Sequence, residues 1–236
     1  MRFTLFILIS FQCFSQKGIE VIYKYESNFK KEIPEQILYG KFLKAAKKIL
    51  PNYDFKLLAD MNESIYYLKK ELDNDAYPQE FKEMILRTAN SNGIFYSDVS
   101  NNKFIEQKNA FGKLYKIISD FETFDWKIIN EYKKISGFKC KKATLNYNVG
   151  NKKNNNQNRE IAAWFTPEIN YPFGPIGFRG LPGLILELNV NWDYSYKFEM
   201  SKIEFVYNLE INAPVEGETI KLQDYEKLNR SAVFQK

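Results

Sequence analysis

The chain of 236 residues contains no histidine. That absence removes the Ser-His-Asp and Cys-His nucleophile systems and every metal site built on imidazole. Cysteine is nearly missing too, with two in the whole sequence. One of them, Cys13, falls in an N-terminal leader, so the mature chain is expected to keep Cys140 alone and to fold without a disulfide. Cys140 has no second thiol or imidazole to activate it. It reads first as a small buried hydrophobe, with a reactive thiol as the other reading. A Walker-type phosphate loop, a G-x-S-x-G elbow, a C-x-x-C pair and an acidic calcium loop are all absent. No catalytic residue, metal ligand or cofactor is therefore assigned, and the expectation is a protein that is not an enzyme. Beyond the leader no apolar run is long enough to span a bilayer as a helix. Charge is nearly balanced: the formal net value is +5, falling to +4 once Arg2 leaves with the leader. That is too little to imply nucleic acid.

Residues 1–15 have the form of a signal peptide. Arg2 supplies the positive start, Phe3 to Phe11 an apolar run, and Cys13-Phe14-Ser15 a small-residue cleavage site. Export to the periplasm or the outer membrane is the expectation. Gln12 stands where a lipidation signal wants Gly or Ala, which argues against an anchor on Cys13. Residues 16–236 show neither a linker nor an internal repeat, so one domain is expected.

Aromatic residues make up 17 % of the chain, with 20 Phe and 16 Tyr, which favours extended sheet. Ile19, Val21, Tyr23 and Tyr25 alternate on one face of a first strand. A helix follows, opened by Pro34 and stopped by Pro51, with Leu38, Phe42, Ala45 or Ala46 and Ile49 as its apolar stripe. Asp54 to Ala59 and Ser64 to Lys70 read as a hairpin, and Pro78 to Ala89 as a short surface helix carrying Phe81, Met84, Ile85 and Thr88. From Gly93 a β-meander is expected: 94–99, 102–108, 113–119, 126–135, 138–149 and 159–165, separated by Asn, Gly and Asp turns. In the fifth of these, Ala143 and Leu145 face one way, Cys140 and Lys142 the other. Residues 148–158 are Asn/Lys-rich low complexity and read as a protruding loop. Tyr194 to Met200 alternate on even numbers and Ile203 to Leu209 on odd ones. The change of phase near Lys202 predicts a β-bulge. Pro214 and Gly217 are expected to end the sheet, and Gln223 to Ala232 to form a last polar helix. The fold class is mainly β (α+β): a single curved antiparallel meander or half-barrel with two or three flanking helices.

Proline and glycine are few but concentrated. Four of 8 prolines and four of 11 glycines lie between Trp164 and Asn189. Leu181-Pro182-Gly183-Leu184 has the residues of a type II turn, and Leu184 to Leu188 follow as a buried strand. A loop so rich in turn residues has one shape. It is either a structural clasp or a site presented on a scaffold. The candidate residues are Trp164, Phe165, Phe173, Phe178, Arg179, Gly180, Leu181, Pro182, Gly183, Leu184 and Ile185. The apolar members of this set could line a concave face that holds a lipid or an apolar peptide. Arg179 could meet an anion in bidentate fashion or pair with Glu168 or Glu187 within the clasp. Lys139, Lys141 and Lys142 read as a guard on a surface strand.

Gly180-Leu181-Pro182-Gly183-Leu184-Ile185 is identical to the signature of the GLPGLI family of secreted envelope proteins. Asp125-Trp126-Lys127-Ile128, Gly137 to Ala143 and Ala163 to Ile169 resemble other landmarks of that family, in the same order. The resemblance implies an exported envelope protein and leaves the reaction, if any, unnamed, because the family is largely of unknown function. In fold the reading resembles the half-barrel of periplasmic lipoprotein carriers and the bowl-like N-terminal domain of a type II peptide N-glycosidase. The function expected is non-catalytic binding of an apolar ligand or an envelope protein partner. Two alternatives stand beside it: a carboxylate-based hydrolase or glycan-binding accessory, and a structural subunit of an outer-membrane assembly.

Overall fold

The computed structural model describes residues 17–29, 38–69, 77–148, 158–191 and 194–234. The leader with Cys13, the helix start at Pro34 and most of the Asn/Lys-rich loop lie outside these residues. The strands are β1 (Lys17–Phe29), β2 (Phe55–Ala59), β3 (Glu63–Leu68), β4 (Gly93–Asp98), β5 (Lys103–Ala110), β6 (Lys113–Asp120), β7 (Lys127–Ile135), β8 (Phe138–Asn148), β9 (Asn158–Thr166), β10 (Leu184–Asn191), β11 (Tyr194–Tyr207) and β12 (Glu218–Lys221). The helices are α1 (Leu38–Ile49), α2 (Gln79–Thr88) and α3 (Leu222–Phe234). The mainly-β class is what the structure shows: one open, curved, antiparallel-rich sheet with three helices among the described residues.

The sheet has 12 strands in the order β12-β6-β5-β4-β3-β2-β1-β11-β10-β9-β8-β7. It is two meanders, β1–β6 and β7–β11, zipped along β1 and β11, rather than one continuous meander. The β1–β11 ladder is long, from Lys17↔Tyr207 to Phe29↔Tyr194, and its register shifts between Ile22 and Tyr23, opposite Lys202 and Met200. The change of phase near Lys202 is therefore a real bulge.

Curvature follows from connectivity. β6 and β7 lie ten strand positions apart, which in a flat sheet is roughly 48 Å. The link from Asp120 to Lys127 reaches at most about 25 Å. The sheet must curl until its two ends approach, and residues 121–126 bridge the gap.

Alternation assigns the faces. Ile19, Val21, Tyr23, Phe55, Leu57, Tyr66, Phe95, Ala143, Phe165, Leu188 and Phe198 point inward and are buried. Helix α1 lays Ala46 into the same core, followed by Leu50 at the Pro51 turn, with Phe42 and Ile49 half-buried beside them; Leu43 is buried as well. In α2 the buried residues are Ile85, Leu86 and Thr88, while Met84 stays at the surface. Lys24–Asp54 (2.5 Å) and Lys56–Glu20 (2.7 Å) belong to the outer face.

The sheet does not end at Pro214 and Gly217. Residues 208–217 cross its outer face, where Gln107 Nε2 donates to the Glu216 carbonyl (3.0 Å). The chain then rounds the edge as β12, parallel to β6 from Glu218↔Tyr115 to Lys221↔Ile118, and α3 folds back onto the inner face. Four residues without apolar alternation carry no strand signal of their own, so β12 was not visible in the sequence.

Candidate functional site

The segment from Pro167 to Gly183 leaves β9, fills the inside of the curl and re-enters the sheet as β10. Its shape is fixed by backbone hydrogen bonds: Gly180 N–H to Pro172 O (2.9 Å), Leu184 N–H to Ile169 O (2.9 Å) and Ile185 N–H to Phe173 O (3.0 Å). Tyr23 Oη donates to Ile185 O (2.6 Å) across the core. The expected type II turn is corrected. Gly183 N–H bonds Leu181 O at 2.8 Å, a tighter three-residue turn centred on Pro182, and the Leu184 amide goes to Ile169 instead. Gly183 is required twice over. Its φ is +144°, and a Cβ there would lie 2.1 Å from the Thr166 carbonyl oxygen.

Most of the expected apolar lining is core. Phe165, Phe173, Leu181, Leu184 and Ile185 are essentially inaccessible, so the clasp consumes the concave surface that an acyl chain would need. Trp164 is corrected to the outer face. It is the strand neighbour of Phe165, and adjacent residues of a strand cannot both point inward. There Lys133 Nζ lies 4.5 Å from its ring centre and also pairs with Glu187 at 2.6 Å. Glu187 pairs with Trp164 in register and so shares the outer face. It cannot meet Arg179 inside, and Glu168 instead accepts the Lys139 amide at 2.8 Å. The expected Arg179 pairing with these carboxylates does not form, and the two carboxylates do not converge on the inner face. Cys140 is buried, and desolvation pushes its thiol up to about 11, which supports the inert reading.

Arg179 lies within the curl. Its guanidinium carbon is 3.9 Å from the centre of the Phe104 ring, 5.1 Å from Phe121 and 5.3 Å from Phe124. Nη1 donates to Gly177 O (2.9 Å), and the Arg179 carbonyl accepts Trp126 Nε1–H (2.9 Å). The 121–126 bridge thus clamps the clasp from outside: Thr123 sits where a Cβ on Gly180 would be, 2.7 Å away.

What the clasp leaves open is a cleft of about 750 Å³ on the inner face, between Ile176–Arg179 and the start of α3. Phe95, Phe104, Phe124 and Phe178 supply rings, and Glu106, Lys108, Asp120, Glu122 and Lys221 supply charge of both signs. Lys108 Nζ bonds Glu106 Oε1 at 2.8 Å. Of the sequence candidates, only Phe178 and Arg179 reach this cleft. The residues opposite them are Phe104, Glu106 and Lys108. Their alternation with Ile105 carries a signal, but Ile105 looks like the core face. It is buried on the outer side, the face that the 208–217 crossing covers. A second hollow of about 860 Å³ between α2 and β3–β6 includes Tyr67 and Lys69, which adjoin residues outside the described set. Among the described residues no cluster of acidic or thiol side chains could hold a metal, and no helix is long and apolar enough to cross a membrane.

This architecture defines a class: an open, strongly curved, mostly antiparallel sheet with its hollow closed by an internal loop. Two crystal forms of PNGF-II, in space groups P21 and C2, have a similar fold, with TM-scores of 0.54 and 0.53 at 14 % identity. The match covers 90 % of this chain and 33 % and 32 % of theirs, so this chain spans about a third of their length. Within the sequence, residues 126–187 match a family described as "Protein of unknown function (Porph_ging)". That stretch is about a quarter of the chain and runs from the end of the bridge through β7–β9 and the whole clasp. No curated protein matches the sequence.

Proposed function

We propose that the chain is an exported, non-catalytic binding protein of the cell envelope, of the GLPGLI type, and that its cleft takes a short segment of an envelope protein partner. The observation that carries this is the division of labour on the inner face. The clasp spends its apolar residues on the core, and what remains open is a ring-lined hollow with charges of both signs around it. Such a surface suits a peptide with one apolar side chain flanked by polar groups better than an acyl chain, because a lipid tail gives the charged groups nothing to bond. The fixed backbone of the clasp means little ordering cost on binding. Native mass spectrometry of the protein gently extracted from its own envelope tests the reading. A retained peptide or protein mass is expected, weakened about tenfold (roughly 1.4 kcal/mol) by reversing the rim charge with Asp120→Lys and Glu122→Lys. Retention of lipid, or retention unaffected by these variants, would count against it.

A second reading is favoured by one specific observation: Glu106, Asp120 and Glu122 share this cleft, and the fold resembles PNGF-II. Paired carboxylates can serve as acid and base in glycan hydrolysis. Turnover of a glycopeptide panel, abolished in Glu106→Gln with the fold intact, would replace the binding proposal with this one.

A further inference from the structure

The wall of the cleft opposite the clasp is the start of α3, through Leu222 and Gln223. That wall is held differently from the rest of the molecule. The main core is one cluster running over β1–β4 and β7–β11, with α1, α2 and the clasp. Ala110, Tyr115, Ile117 and Tyr225 form a separate small cluster, with Ile220 packed beside it. Along α3, Tyr225 is the one buried residue from Leu222 to Arg230. Its ring meets Tyr115 at 5.9 Å and Phe111 at 6.2 Å, and Phe111 is itself about half exposed. The preceding strand adds a four-residue parallel ladder on β6 and an exposed Lys113–Glu218 pair at 3.2 Å, which contributes little. The turn into it is Gly217, with φ +96°.

We infer that β12 and α3 form a strap that opens as a unit and gates the cleft, with Tyr225 as its latch. A segment with one buried anchor among its described side chains, Leu222 to Arg230, and a short edge ladder opens at lower free energy than the body it rests on. Opening removes the Leu222–Gln223 wall and leaves the clasp, the bridge and the main core in place. Lys108 connects latch and cleft. Its Nζ bonds Glu106 inside the cleft at 2.8 Å and lies 5.0 Å from the Tyr225 ring centre. A ligand that competes for Glu106 frees Lys108 and so shifts the strap, and strap opening in turn loosens the Lys108–Glu106 pair. This regulation rests on the cleft being the binding site, but the opening itself does not.

The test needs no ligand, so it can fail separately from the binding proposal. Hydrogen exchange of the full chain is expected to show residues 218–230 exchanging together, at least about tenfold faster than β1, β10 and β11. Tyr225→Ala should accelerate that segment further and leave those strands unchanged. Phe111→Ala, at a partly exposed ring, gives a milder version should Tyr225→Ala disturb folding. A Glu106→Cys probe then reads gating. Its reaction with a small maleimide should speed up about tenfold when Tyr225→Ala is added, while buried Cys140 stays silent. Exchange of 218–230 at the rate of the main core, or Glu106→Cys labelling indifferent to Tyr225→Ala, overturns the inference.

Discussion

The guanidinium of Arg179 stacks on the ring of Phe104, 3.9 Å from its centre, and this contact joins the clasp to the opposite half of the sheet. Phe104 stands on β5 in the first meander, whereas Arg179 follows β9 in the second. The β1–β11 seam ties the halves on one side of the molecule, and this stack, with the 121–126 bridge, ties them across the hollow.

A partly desolvated cation over a ring is worth about 1–2 kcal/mol beyond packing. A double-mutant cycle with Arg179→Met and Phe104→Leu should therefore show a coupling of about that size by denaturant unfolding. Additive effects would mean that the stack only fills space.

Gly183→Ala should cost well over 1 kcal/mol, because positive φ is strained for alanine and the new methyl would press on the Thr166 carbonyl. Pro182→Ala changes an exposed side chain next door, and should cost less than about 1 kcal/mol. Thermal melts of the two variants compare them directly. Equal melting temperatures would place the constraint elsewhere in the loop.

These two variants also show how far the sequence could be read. The glycine was legible because its neighbours, Pro182 and the run from Leu184, are local signals. The turn type was not, because the Leu184 amide is taken by Ile169, a partner that only the folded loop supplies. The strands were legible wherever one face alternates, as in Ile19 to Tyr25 and Tyr194 to Tyr207. Pairing order was not, since nothing local says that β1 meets β11. Nor was the cleft, because Glu106 and Lys108 acquire meaning only when the curl brings Phe178 and Arg179 over them. Trp164 shows the same limit. Its hydrophobicity suggested the lining, but its position beside Phe165 in a strand dictates the other face.

On that outer face Lys133 bonds Glu187 at 2.6 Å and covers the Trp164 ring. Glu187 is mostly buried and Lys133 about one-third exposed, so losing one partner should cost less than in a fully buried pair, about 1–3 kcal/mol for Glu187→Gln. Lys133→Met keeps the stem against the indole but removes the charge, and should shift Trp164 emission while costing less than Glu187→Gln. Should Glu187→Gln prove neutral, the pair is only a surface contact.

The strongest pH dependence is expected on the alkaline side. Burial raises the hydroxyls of Tyr23, Tyr66 and Tyr25 above the ordinary tyrosine value, with neighbouring tyrosines adding to the last two. It also pushes the Cys140 thiol up to about 11. Each of these acids is neutral below its pKa, and a folded value above the unfolded one means that the fold favours the neutral form. The contribution to stability is complete below the unfolded values, about 8.5 for the thiol and about 10 for tyrosine, and is lost as pH climbs through them toward the folded ones. The protein should hold its stability through neutral pH and unfold cooperatively above about pH 10. Absorbance at 295 nm and circular dichroism, followed together, check this. The buried tyrosines should ionise in the same step that removes the sheet signal, and Cys140 should become alkylable there and not before. Full tyrosine ionisation near pH 10 with the sheet signal intact would show that these hydroxyls reach water in the native state, and that the aromatic core around Tyr66 is not closed.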